Sequence, residues 1–275
     1  MLKTKTVISG AAWVGLMGLF LLSCFDPPEY SNIPAIEYES VSFIDVNDVS
    51  DPDSLILVVR FKDGDGDMGL DADFFGDTLF PYNPQFFFDT IQSPTVPYYY
   101  PEEEFWMGNP QFRPENPVFI TYETYRTKRY GWKSKLLVDT LPPFVKPYNC
   151  INWVIRSVNN KVDTFYFERN PYHYNFHVDF LVKNPNGTFT EFDWTKEFTY
   201  PNCGITLDGR FPILSKDLSR AAALDGKIRY SMGSTGFNFL FSIKTLKLRV
   251  TVFDRSLNES NVVETPEFTL QQIRE

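Results

Sequence analysis

Histidine is nearly missing from this chain. Only His173 and His177 occur in 275 residues, and cysteine is limited to Cys24, Cys150 and Cys203. No cysteine has a histidine nearby in sequence, and none sits in a C-x-x-C redox or metal spacing. The chain also lacks a G-x-S-x-G elbow, a P-loop and an H-E-x-x-H pair. Positive charge is scarce: 26 Lys and Arg stand against 35 Asp and Glu, a formal net charge of −9. A body of that sign has no electrostatic reason to bind nucleic acid. These absences leave the expectation of a protein that is not an enzyme. One catalytic reading stays open, a carboxylate pair for glycoside hydrolysis, since acids distant in sequence can meet in space. Glu102, Glu103 and Glu104, beside Phe105-Trp106, are the candidates for it.

The feature that stands out most is acidic. Residues 63–73 read D-G-D-G-D-M-G-L-D-A-D and hold Asp63, Asp65, Asp67, Asp71 and Asp73. Carboxylates at every second position repel one another unless a cation lies between them. Gly64 and Gly66 let the backbone turn tightly enough for alternate side chains to converge. Hard oxygen ligands in a flexible loop suit calcium. The spacing imitates positions 1, 3 and 5 of an EF-hand, but Met68 stands where that loop needs glycine and Phe74 where it needs glutamate. The segment before it, Leu55 to Phe61, is apolar on both faces until Arg60 and reads as a central strand. The expectation is an EF-like calcium loop on a β scaffold; a solvated acidic turn is the alternative.

Residues 1–23 stand apart. Lys3 and Lys5 form a basic head, an apolar run follows from Val7 to Leu22, and Leu21-Leu22-Ser23-Cys24 closes it. The pattern resembles a bacterial lipobox, which implies cleavage before Cys24 and an N-terminal lipid on that residue. Phe25, rather than Asp, follows the cysteine, which by resemblance to Gram-negative sorting favours the outer membrane. Phe25-Asp26-Pro27-Pro28-Glu29 is a weak match to acidic surface-export signals, so the cell surface is slightly favoured over the periplasmic face. Residues 24–34 read as lipidated N-terminus and tether, with Pro27, Pro28 and Pro34 resisting regular structure. Loss of Lys3 and Lys5 would take the charge from −9 to −11. Cys150 and Cys203 would remain, either bridged in an oxidising compartment or as two buried thiols.

The body, residues 35–275, reads as a single mainly β domain. A strand over Ile36 to Ile44 slips phase near Ser40, which predicts a bulge. Residues 74–148 hold 11 of the 20 prolines and 20 aromatic residues. Prolines at that density prevent long strands, and aromatics at that density argue against disorder. This stretch is expected to be an insertion of short strands and loops over one end of the sheets. Tyr98, Tyr99, Tyr100 and Trp106 are its candidate contacts for a protein partner or a sugar ring. Ile151 to Val158 and Val162 to Arg169 read as a hairpin turning at Asn159-Asn160. Alternation from Tyr172 to Phe180 predicts a strand, on which His173 and His177 would lie ~13 Å apart, too far to share a metal. A turn over residues 184–187, a strand from Thr188 to Phe198 and a short helix from Leu218 to Leu224 complete the reading.

The last third carries a resemblance. Leu246-Lys247-Leu248-Arg249-Val250-Thr251-Val252 leads to Phe253-Asp254-Arg255, an Asn-rich loop and a closing strand at Val262-Val263-Glu264. Together these resemble the end of an immunoglobulin-like antiparallel β-sandwich. With the lipobox and the D-G-D-G-D loop, the chain resembles uncharacterised outer-membrane lipoproteins of Bacteroidota. In such a sandwich Asp254 and Asn258 could reach the aspartate loop and complete a calcium site, or Arg255 could pair with the loop directly. The expected role is a calcium-stabilised, lipid-anchored accessory subunit of an outer-membrane complex for transport, secretion or protein assembly. A glycan-binding surface lipoprotein is the alternative, ahead of the glycoside hydrolase.

Overall fold

The computed structural model describes residues 29–46, 51–71, 73–87, 121–122, 151–158, 161–197 and 204–275. The chain is mainly β, with antiparallel sheets. Strands β1 (Ala35–Ile44), β2 (Asp53–Asp63) and β8 (Leu224–Ser234) form one sheet in the order β1-β2-β8. A second has the order β10-β9-β6-β7, from β6 (Phe176–Lys183), β7 (Phe189–Phe192), β9 (Leu246–Val252) and β10 (Val263–Glu264). A third, small sheet orders β3 (Gln85–Phe87), β5 (Lys161–Arg169) and β4 (Trp153–Val158) as β3-β5-β4.

The first two sheets share one core. In β2 the inward row is Leu55, Leu57, Val59 and Phe61; in β9 it is Leu246, Leu248, Val250 and Val252, and all eight are buried. Rings meet across the gap: Phe176 of β6 stacks on Tyr230 of β8 with centroids 4.1 Å apart. Helix α2 (Phe237–Phe241) closes the far end, with Phe237 edge-on to Phe43 of β1 and stacked near Phe180 of β6. Each such side chain contributes roughly 1.5–3 kcal/mol by leaving water. β2 is central in its sheet, as its two-sided hydrophobicity predicts, and its register with β1 shifts between Tyr38 and Ser40, the expected bulge.

Three expected elements come out differently. Residues 172–175 are not strand: Asn170 accepts a bond from Tyr172 N, Pro171 starts a 3-10 turn through His173, and the strand begins only at Phe176. The strand expected from Thr188 to Phe198 ends at Phe192, and Trp194 opens the short helix α1 (Trp194–Glu197). Leu218 to Leu224 is not a helix. Ala222 N is drawn to the Asp65 carbonyl at 3.1 Å and Leu224 already begins β8, so tertiary bonding outweighs alanine's helix propensity. Among the described residues no helix is long and apolar enough to cross a membrane.

Candidate metal centre

Strand phase builds the site. Side chains in β2 alternate between faces, so the inward row from Leu55 to Phe61 continues to Asp63. Its carboxylate is delivered to the end of the core and is fully buried, 0% exposed. The inward row of β9 continues in the same way to Asp254, 1% exposed. The two strands belong to different sheets, so the two acids converge from opposite sides of the core. Asp67, on the loop that leaves β2, is the third: one carboxylate oxygen from each of Asp63, Asp67 and Asp254 lies within 4.8 Å of the others.

The loop is held on every side by backbone bonds. Asp63 Oδ2 accepts from Gly66 N (2.8 Å) and Asp67 N (3.2 Å), which curls the chain back over its own carboxylate. Gly66 and Gly69 take φ of +72° and +107°, and a Cβ on either would stand 2.2 Å from a carbonyl oxygen, that of Ala222 or Pro212. Gly64 N donates to Ser31 O, Leu70 N to Phe211 O and Leu214 N to Met68 O. Met68, placed where an EF-hand has glycine, is buried and anchors the loop in the core. From the other sheet, Arg255 N donates to Asp67 O (3.2 Å) and Ser256 Oγ to Asp67 Oδ2 (2.7 Å). Asn258 closes that turn, its backbone N and Nδ2 donating to the two oxygens of Asp254 at 2.7 and 2.8 Å.

The carboxylates are nonetheless incompletely satisfied. Oδ1 of Asp63, of Asp65 and of Asp67 is buried with no hydrogen-bond partner among the described residues. Burial, then repulsion from Asp65 and Asp67, pushes the Asp63 carboxyl up to about 7 against the pull of Gly66 N. Burial likewise raises Asp254 to about 6, although its bonds to Asn258 hold it down and Asp67 and Asp65 push it further up. Among the described residues no Lys or Arg pairs with Asp63, Asp65, Asp67 or Asp254. Once ionised, such oxygens only accept hydrogen bonds, so the residues able to hold a cation here are Asp63, Asp67 and Asp254, with Asp65 beside them.

Arg255 does not fill the gap. Its guanidinium turns to Asp77, which is 0% exposed, with Nη1 donating to Oδ2 at 2.8 Å and Nη2 to Oδ1 at 2.5 Å. Asp77 lies in a 3-10 turn, Phe75–Thr78, at the foot of the insertion, and also accepts from Asp71 N. No sequence pattern singled it out. The same foot is fastened elsewhere: Tyr82 Oη donates to the Arg255 carbonyl, Asn170 Nδ2 to the carbonyls of Pro81 (2.5 Å) and Asn83 (2.7 Å), and Arg210 Nη2 to that of Tyr82 (2.8 Å). β3 then pairs with β5.

Of the six acids expected to bind metal, the structure thus gathers Asp63, Asp67 and Asp254. Asp71 and Asp73 lie outside that group; Asp71 Oδ1 accepts from Asp73 N (2.9 Å), and Asp73 is exposed. His173 bonds through Nδ1 to the Tyr82 carbonyl, while His177 faces Asp208 at 3.4 Å, a pairing that lifts the histidine despite its burial. Cys24, Tyr98, Tyr99, Tyr100, Glu102, Glu103, Glu104, Trp106, Cys150 and Cys203 lie outside the described residues. No protein-family model, curated protein or solved structure matches the chain.

Proposed function

We propose that this chain is a non-enzymatic, lipid-anchored accessory subunit of an outer-membrane protein complex, with the insertion as its docking element. In this reading the two sheets on one core are an immunoglobulin-like sandwich. Cys24 carries the lipid, residues 24–34 are the tether, and the outer membrane is the site, its surface face favoured. The fastening of the insertion's foot carries the reading. A long insertion in a compact domain, as residues 74–148 read in sequence, is commonly functional. Here both the departing chain and the sheets beneath it are locked by a buried ion pair and by Asn170 and Arg210. Such a footing gives an aromatic- and proline-rich segment a fixed base, which lowers the entropy lost when it meets a partner.

The test is purification of a tagged chain from detergent-solubilised outer membranes, followed by mass spectrometry. A stoichiometric membrane protein is the expected companion, lost on deletion of residues 88–120. A chain that runs alone at native expression, or a companion indifferent to the deletion, would remove the proposal.

A further inference from the structure

We propose that Asp63, Asp65, Asp67 and Asp254 hold one calcium ion, which fastens the two main sheets together at the end of the core that carries the insertion. The acidity of the loop alone would not carry this. Asp63 is fully buried, and its Oδ1 has no donor to meet it. A buried carboxylate oxygen left unmatched is costly unless something positive or hydrogen-bearing completes it. Water could donate to these oxygens but would leave the charge of four clustered carboxylates uncancelled. Among the described residues the neighbouring arginine, Arg255, is already bound at both ends of its guanidinium to Asp77.

The donors select the class of ion. All are hard carboxylate oxygens, and among the described residues no thiolate or imidazole, the groups that favour zinc or copper, joins them. Calcium binds oxygens at about 2.3–2.6 Å, so two ligands can stand roughly 5 Å apart across it, which spans the 4.8 Å group. Magnesium, at about 2.0–2.1 Å, needs a tighter octahedron and keeps several waters. Both oxygens of Asp254 already accept from Asn258, but a carboxylate has about four lone-pair directions, so about two, one on each oxygen, remain for a metal. An EF-hand takes its far ligand from the end of the same loop. Here that ligand comes from the opposite sheet, so binding joins elements instead of shaping a loop.

The experiment uses the full-length chain in detergent, stripped with EDTA and titrated with calcium chloride by calorimetry, with thermal melts in calcium, in magnesium and in EDTA. One saturable calcium site is expected, and at a hundredfold excess over Kd the Tm should rise by roughly 5–10 °C. Asp254→Asn should weaken binding at least tenfold, while Asp73→Asn, on the exposed residue outside the group, should bind as wild type does. Coincident melts in calcium and EDTA would overturn the proposal. So would equal stabilisation by magnesium, or an Asp73→Asn defect as large as that of Asp254→Asn. If Asp254→Asn fails to fold, the wild-type melts decide alone. A chain that binds calcium yet purifies without a companion would lose only the docking role.

Discussion

Asp63 and Asp77 are both fully buried acids at the same end of the molecule, and the fold treats them in opposite ways. Asp77, at the foot of the insertion, receives the guanidinium of Arg255 and the amide of Asp71. Asp63, at the end of β2, receives two loop amides on one oxygen and, among the described residues, nothing on the other. The difference decides how each region is stabilised. The foot carries its countercharge as a side chain and should hold under any ionic condition. The aspartate loop is tied down by backbone bonds from Gly64, Gly66, Asp67 and Leu70 while its charge is unbalanced, so its stability should depend on what the solvent supplies.

The largest expected effect tests the closed half of that contrast. Arg255→Ala would strand the Asp77 carboxylate inside the protein, and breaking a buried pair in this way costs about 3–5 kcal/mol. The loss should be the same in calcium and in EDTA, because the pair is complete without an ion. The double variant Arg255→Met with Asp77→Leu should recover most of it, since a buried pair exchanged for apolar packing is often close to neutral. Chemical denaturation of the three proteins measures both. An Arg255→Ala loss confined to EDTA would mean that the foot and the loop form one electrostatic unit and that the contrast is false.

How much of this contrast could be read from the sequence differs between its halves. β9 alternates cleanly, so Asp254 follows the apolar row inward by simple phase. β2 is apolar at Ile56 and Val58 as well, and that second row hid the fact that Asp63 continues the buried one. Asp71 and Asp73 looked equivalent to the first three aspartates because their spacing is similar. The positive-φ turns at Gly66 and Gly69 redirect the chain between them, and such turns break any periodicity counted along a line. Asp77 had no signal that marked it as a buried ion-pair partner. Its burial depends on an arginine 178 positions away, a pairing fixed by the way two sheets close and not by any local pattern. The same holds for Ala222, whose neighbours favour helix and whose amide is taken by the aspartate loop.

A smaller effect sharpens the contrast along a single strand. Asp53 opens β2 and is buried like Asp63 at its other end, yet its oxygens accept from Val46 N (3.1 Å) and Asn238 Nδ2 (3.0 Å). Asp53→Ala strands both donors and should cost about 1–3 kcal/mol, equally with and without calcium. Denaturant melts in the two buffers would show it. A calcium-dependent Asp53→Ala defect would mean that stability at one end of β2 is felt at the other.

The gentlest probe is acid, with an effect of at most about 1.4 kcal/mol per pH unit for each proton taken up. Burial and neighbouring charge raise Asp63 to about 7 and Asp254 to about 6, above the ~3.9 of an aspartate in the unfolded chain. A carboxyl raised on folding binds protons more tightly in the native state. Its contribution to stability is complete below the unfolded value and is lost as pH climbs through the folded one. Between pH 5 and 7.5, the ion-free protein should therefore become less stable as pH rises. In saturating calcium the dependence should flatten, because the ion-bound site and the unfolded chain both hold these carboxylates deprotonated above about pH 5. Melting temperatures at half-unit steps, in EDTA and in calcium, should lie close together near pH 5 and separate as pH rises, whereas Asp63→Asn should flatten the EDTA series. Parallel curves would place the titrating groups outside the loop. They would also make Asp63 as self-sufficient as Asp77, with its charge balanced inside the fold.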